Sequence, residues 1–185
     1  MRIIAGEFKG RSVKAVPGHF TRPIGDKSKE ALFQMIGPFF DGGSCLDLFA
    51  GSGALGIEAI SRGMNDAVFI DKHPKAIRTI HENINLVRID QQTKVFRMDA
   101  FRALKVVSKN NSYFDLILID PPYQKVDYHK ILNDIMNLNL LNKGGFIVCE
   151  HDPSLELSDL ASDVKVYKQV TYSATTAITI FQKSY

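Results

Sequence analysis

The sequence predicts an α/β fold: a mostly parallel, doubly wound sheet of seven strands that ends in an antiparallel hairpin, with a small β-hairpin extension at the N-terminus. Three observations carry that expectation. From Ser44 onward, short strand-like runs alternate with segments of helical period, the pattern that places helices on both faces of a parallel sheet. The run Phe114-Asp115-Leu116-Ile117-Leu118-Ile119 is almost continuously apolar, as a strand covered on both faces requires. Residues 164–171 and 177–182 are two β-rich runs with no room for a helix between them, so they pair antiparallel.

The elements follow in order. Residues 1–18 alternate loosely, punctuated by Gly6, Gly10 and Gly18, and give the appended hairpin. The chain divides into this basic extension, residues 1–22, and a main domain, residues 23–185. Asp26 is placed to cap a helix over residues 26–36, with Ala31, Leu32, Met35 and Ile36 on one face. Asp41-Gly42-Gly43 breaks the chain. Strand 45–50 leads to helix 54–62, and strand 67–70 to helix 74–86, which opens with Pro74 at a tolerated first-turn position. Strand 94–98 leads to helix 100–107, the strand ending at Ile119 to helix 128–136, and strand 145–149 precedes the final hairpin. Asn83 and Asn85 fall at the polar end of their helix. Phe8, Phe20, Phe33, Phe39 and Phe40 are expected as packing anchors.

Composition narrows the function classes. The 185 residues are 45% hydrophobic and 23% charged, enough for one sizeable core. No apolar stretch approaches the ~18 residues of a membrane span, and the N-terminus lacks a signal-peptide core. Cys45 and Cys149 both fall in expected buried strands, which suits reduced thiols in the cytoplasm. His19, His73, His81, His129 and His151 make no ligand spacing with them, so no metal is expected. Charge is uneven: residues 1–30 hold seven basic side chains against three acidic ones, a net of +4, while the rest sums to −1. A basic arm on a near-neutral body suits a polyanion, or simply a solvated terminus.

The first motif is Asp47-Leu48-Phe49-Ala50-Gly51-Ser52-Gly53-Ala54-Leu55-Gly56. Its three glycines satisfy the dinucleotide-loop spacing between a strand and a helix, and Asp71 lies twenty residues beyond Gly51. Asp47 argues against a dinucleotide, because a carboxylate beside the turn repels a pyrophosphate and attracts a cation. S-adenosylmethionine (SAM) carries a sulfonium and an ammonium and no phosphate. Asp71, at the end of the second strand, can accept both ribose hydroxyls, or belong to the cap region of the helix opening at Pro74. Asp99 can accept from the adenine amine, or cap the helix over residues 100–107. These acids end successive parallel strands and so share one sheet edge.

The second motif is Asp120-Pro121-Pro122-Tyr123, delivered to the same edge by the apolar strand before it. The prolines stiffen the chain and donate no hydrogen bonds. The Asp120 carboxylate and the Pro121 carbonyl are therefore free to accept from the amino group of a planar base, and the Tyr123 ring can stack on it. Such acceptors stabilise the positive charge that develops as the amine attacks a methyl group, and they orient its lone pair. Glu150-His151 reaches the same edge without an assigned role.

With these pieces in view, the chain resembles the bacterial 16S ribosomal RNA guanine-N2 methyltransferases of the RsmD type throughout its length. The matching pieces are Met1-Arg2-Ile3-Ile4-Ala5-Gly6 with Lys9-Gly10-Arg11, then Thr21-Arg22-Pro23 through Lys29-Glu30-Ala31-Leu32-Phe33. The glycine-loop segment with Glu58-Ala59 and Ser61-Arg62-Gly63, and the Asp120 tetrapeptide, complete them. The resemblance implies a Rossmann-like SAM-dependent methyltransferase acting on the exocyclic N2 of one guanine in 16S rRNA, within assembled or assembling small subunits. It further implies that Asp47, Gly51 and Gly53 form the cofactor loop, that Asp71 binds ribose and Asp99 adenine, and that Asp120 to Tyr123 clamp the base. Phe49, Ala50, Lys72 and Ala100 join the cofactor-lining set. Arg2, Lys9, Arg11, Lys14 and Arg22 would hold RNA phosphates. Asp71 stands where many relatives have Glu, and Ser173-Ala174 replaces a more usual glycine-containing turn. Three other readings share part of this pattern: an adenine-N6 methyltransferase, a nicotinamide-dependent dehydrogenase, and a non-catalytic RNA-binding assembly factor.

Overall fold

A computed structural model describes residues 1–18, 25–122 and 126–185. Its elements are α1 (Asp26–Ile36), β1 (Ser44–Asp47), α2 (Ala54–Ser61), β2 (Asp66–Asp71), α3 (Pro74–Val87), β3 (Thr93–Arg97), α4 (Ala100–Lys109), β4 (Phe114–Ile119), α5 (Tyr128–Asn137), β5 (Leu141–His151), β6 (Val164–Ser173) and β7 (Thr176–Lys183). The strands form one seven-stranded sheet in the order β3-β2-β1-β4-β5-β7-β6. β1 to β5 run parallel, and β7 inserts antiparallel between β5 and β6. The expected mostly parallel sheet with a terminal hairpin is therefore the observed one.

Chain order explains where a ligand can sit. The strands step outward from β1 through β2 to β3, then return to the other side of β1 as β4. That reversal opens a crevice at the carboxyl ends of β1 and β4, the place where open α/β sheets take ligands. Both faces are covered. Apolar residues of α1, α2 and α3, such as Phe33, Ile57 and Ile80, fill one layer, and Leu104, Ile131 and Leu132 of α4 and α5 fill the other. Cys45 and Cys149 are buried free thiols within strands.

Several details differ from expectation, each for a local reason. Gly25, not Asp26, is the N-cap of α1; Asp26 is its first residue and instead accepts from Arg2 Nε at 3.0 Å. Regular pairing of β1 stops at Asp47, because the chain bends into the glycine turn, although Leu48 and Ala50 still donate to Leu118 and Ile70. β5 begins at Leu141, earlier than its apolar run suggests, and its partnership with β4 shifts register between Phe114 and Leu116. Of the five phenylalanines expected as anchors, Phe8 and Phe33 are buried and half-buried Phe40 packs edge-on against Phe33, but Phe39 is 62% exposed, and Phe20 lies outside the described residues. In the β6–β7 turn the Ser173 hydroxyl accepts from Thr175 N at 3.2 Å, which stabilises the turn without a glycine.

The N-terminal segment is a hairpin reduced to one antiparallel bridge, Arg2 to Ser12. Its Ile3, Phe8 and Val13 join the core layer that contains α2 and α3. The division at residues 22 and 23 falls outside the described residues.

Candidate active site

Four acids at or just past the ends of neighbouring strands, Asp47, Asp71, Asp99 and Asp120, build the site. Asp47 closes β1, is 2% exposed, and its Oδ2 accepts from Gly56 N at 3.0 Å. Burial pushes its carboxyl up to about 7; the Gly56 N–H pulls it back, and the negative charge of Asp71 adds to the rise. Gly56 has to be glycine here: a Cβ would stand 2.5 Å from the Phe69 ring and 3.2 Å from the Asp47 carboxylate. Gly51 and Gly53 take φ of 56° and 80°, the left-handed region that carries the turn from β1 into α2.

Asp71, at the end of β2, uses its two oxygens separately. Oδ2 accepts from Gly51 N at 2.9 Å and Oδ1 from His73 N at 2.8 Å. It thus pins the glycine turn and shapes the start of α3, while each oxygen keeps a second lone pair for a ligand hydroxyl. Asp99 is the N-cap of α4, with Oδ1 accepting from Phe101 N and Arg102 N at 2.9 and 3.3 Å. Both capping bonds fall on Oδ1, which leaves the exposed Oδ2 outside the cap. Among the other expected cofactor contacts, Phe49 is half-buried, Ala50 and Ala100 are buried, and Lys72 is exposed.

Asp120 follows β4 directly, with Pro121 buried and Pro122 exposed behind it; Tyr123 lies outside the described residues. Half-buried Asp120 lines a small recess together with Leu32, Leu55, Val148, Ile178 and Glu150. Burial drives the Asp120 carboxyl well above the usual range, and the negative charges of Glu150 and Asp47 drive it further. Register fixes the neighbourhood: Asp47 pairs across from Leu118, two residues before Asp120. Glu150, left without a role by sequence reasoning, joins the site because β5 is the next parallel strand and ends on the same edge. A crevice whose buried carboxyls are held back from ionising favours a cation, which lets them ionise, and offers a pyrophosphate no compensating charge. That chemistry fits SAM and not a dinucleotide.

The basic residues of the arm are spread over the adjoining surface. Arg2 pairs with Asp26, and the exposed Lys14 pairs with Glu82 at 2.9 Å. Exposed Arg11 donates to Val87 O at 3.1 Å and lies over the Phe8 ring; Lys9 is exposed, and Arg22 is outside the described residues. Sequence reasoning missed what anchors this arm. Asn83, placed at a polar helix end by sequence, is 0% exposed. Its Oδ1 accepts from Lys14 N at 2.7 Å, and its Nδ2 donates to Lys14 O and to Ser52 O, each at 2.9 Å. One amide therefore ties the arm to the glycine turn. A buried ion cluster does the rest: Glu58 accepts from Ile4 N and Ala5 N at 2.9 and 3.0 Å, and pairs with Lys29 at 3.3 Å and Arg62 at 2.8 Å. Among the described residues no group of three or more His, Cys, Asp or Glu could hold a metal, and no helix is long and apolar enough to cross a membrane.

Comparison with known proteins shows the family and the fold. The family model described as "Conserved hypothetical protein 95" matches residues 1–182. A Bacillus subtilis protein named "Putative rRNA methyltransferase YlbH" is 45% identical over 183 residues, covering 99% of each chain. The "Ribosomal RNA small subunit methyltransferase D" of Buchnera aphidicola is 34% identical over 152 residues, 81% of this chain and 77% of that one. Among solved structures, "Putative methyltransferase yhhF from Escherichia coli" superposes with a TM-score of 0.86 at 25% identity, covering 100% of this chain and 98% of that one.

Proposed function

The chain belongs to the Conserved hypothetical protein 95 family, the RsmD type that its motifs resemble, and on that premise we propose that it transfers a methyl group from SAM to the exocyclic N2 of a guanine in 16S rRNA. The substrate is the assembled or assembling small subunit, and the work is done in the cytoplasm. The relatives named as rRNA methyltransferases support the class of substrate. The observation that carries the chemistry is the pair Asp47 and Asp120, at the ends of adjacent strands and both with carboxyls raised by burial.

SAM, when bound, supplies an electrophilic methyl on a sulfonium. The chain's own residues do the rest. Asp47, the Gly51–Gly53 turn, Asp71 and Asp99 hold the donor by its ammonium, backbone, ribose and adenine, with Phe49, Ala50, Lys72 and Ala100 around it. The target base has to leave its stack for its amine to reach the recess. There Asp120 and the Pro121 carbonyl accept the two N–H groups, with Tyr123 as the stacking partner. Hydrogen bonds accepted from both N–H groups raise the nucleophilicity of a nitrogen whose lone pair is delocalised into the ring, which sheds one proton as the methyl is gained. The arm residues Arg2, Lys9, Arg11, Lys14 and Arg22 bind phosphates without discriminating sequence.

The test uses small subunits from a strain lacking this protein, incubated with labelled SAM and the purified chain, with the product mapped nucleotide by nucleotide by mass spectrometry. One N2-methylguanine is expected. Label on an adenine N6, or none on any nucleotide, would overturn the assignment.

A further inference from the structure

We infer that the surface for RNA phosphates continues beyond the arm, along α3 to the outer edge of the sheet, as a stripe formed by Arg78, Lys72, Arg97 and Arg102. This rests on the rRNA reading above and adds to it where the strand runs.

The first ground is charge. Residues 72–109 hold nine basic side chains against three acidic ones, a net of +6, whereas residues 110–185 hold six against nine. Lys72, Arg78, Arg97 and Arg102 are all exposed. Of the three acids, Glu82 is already shared by Lys14 and Arg78, at 2.9 and 3.2 Å, and Asp99 is engaged as the α4 cap. Residues 110–185 mix both signs, whereas residues 72–109 carry a clear positive excess.

The second ground is continuity. The arm lies against α3, where Lys14 is fixed at Asn83 and Glu82 and Arg11 at Val87 O. Glu82 joins Lys14 of the arm to Arg78 one turn earlier on α3, so the arm and the helix present a single basic surface. At the other end, Arg97 sits opposite Asp71 in the β2–β3 pairing, and its Nε donates to Lys72 O at 3.4 Å. Arg102 lies in the first turn of α4, just past the Asp99 cap. The path is roughly 20 Å long, the length of α3 at about 1.5 Å per residue, and it finishes on the edge that carries Asp71, Asp47 and Asp120. A strand held along it would lead its target base toward that edge. The partner this fits is the sugar-phosphate backbone of single-stranded or junction RNA, bound by charge.

Exposed Arg97 on the outer strand also guards the sheet edge against pairing with another chain, so the test avoids it and uses the double variant Arg78→Ala with Arg102→Ala. Binding to labelled small subunits from a strain lacking this protein would be measured across a KCl series, beside Arg11→Ala with Lys14→Ala and the unaltered chain. SAM affinity and melting temperature serve as controls for folding. The expected result is unchanged SAM binding, RNA affinity reduced at least fivefold, and a salt slope shallower by about 1.4, since each of the two arginines would neutralise one phosphate at ~0.7 per phosphate on a single strand. An unchanged slope and affinity in this variant, with a drop in the arm variant, would overturn the stripe alone. Salt-independent or absent binding by the unaltered chain would overturn the rRNA reading and the stripe with it.

Discussion

At the scale of single residues, the site's carboxylates each do a structural job and keep capacity for a ligand. Asp99 caps α4, so its helix-cap reading is realised, whereas Asp71 pins the glycine turn and accepts from the N–H of His73, the α3 N-cap, without capping the helix itself. Asp47 offers the sharpest measurement. Its carboxyl, raised to about 7, binds a proton in the fold that the unfolded chain has already released between pH ~4 and 7. Its contribution to stability is therefore complete below the unfolded value and is lost as pH rises through about 7. A cation favours the ionised form, so SAM should bind more tightly as pH climbs toward 7 and expel a proton below it. Calorimetry in two buffers of different ionisation enthalpy measures that proton. Asp47→Asn should weaken SAM binding and remove its share of the pH slope; a slope unaltered by the substitution would show that Asp47 does not meet the donor's charge. Asp120 separates binding from chemistry. Asp120→Asn keeps the volume and loses a carboxyl acceptor that works in the transition state, so methyl transfer should fall by ~10²–10³. SAM affinity, read by calorimetry, should change only a few-fold.

At the scale of elements, the arm is held to the body by contacts that no local pattern announces. Glu58 sits within an apolar helix and joins Ile4, Ala5, Lys29 and Arg62, drawn from three parts of the chain. Periodicity places Glu58 and Lys29 on helices, but their burial depends on partners about 30 to 54 residues away, which spacing within one element does not reveal. The same reason hid Asn83, whose helix position is polar by composition and buried by tertiary contact. Breaking such a cluster strands two buried cations: Glu58→Gln should destabilise the fold by about 3–5 kcal/mol, measured by urea unfolding. Gly6→Ala tests the same joint sterically. Its φ is +85°, and a Cβ would stand 1.8 Å from Ser61 O, so the arm has to lift from α2. Limited proteolysis should then cut within residues 1–18 while residues beyond α1 stay protected. Equal protection of both regions would mean the arm is held elsewhere.

At the scale of the whole molecule, the mostly parallel sheet, its terminal hairpin and the shared edge of the acids were legible because they are written locally, whereas the strand order was not. Alternating strands and helices, a glycine turn after β1 and an Asp-Pro-Pro run after β4 each occupy a few consecutive residues, and parallel topology then collects their ends on one side. The reading of Asp47 as the residue that favours a cationic donor over a dinucleotide rests on its identity and position beside the glycine turn, since an ionised carboxylate there reverses the sign of the loop's field. The fold strengthens that argument by adding Asp120 and Glu150 to the same crevice. The discrimination can be measured on the intact protein by ligand-induced stabilisation. A ligand at one hundred times its Kd adds about 2.7 kcal/mol to the native state. In a chain of 185 residues, each kcal/mol moves the melting temperature by roughly 2–4 °C. SAM at that concentration should therefore raise Tm by about 5–11 °C. NAD at the same concentration should leave Tm unchanged, because its pyrophosphate meets Asp47, Asp71 and Asp120 with no basic group inside the glycine turn to offset them. The SAM shift should shrink in Asp47→Asn, whose crevice has lost the charge that draws the donor. A shift with NAD and none with SAM would mean that the crevice prefers phosphate to sulfonium, and the electrostatic account of the whole edge would be wrong.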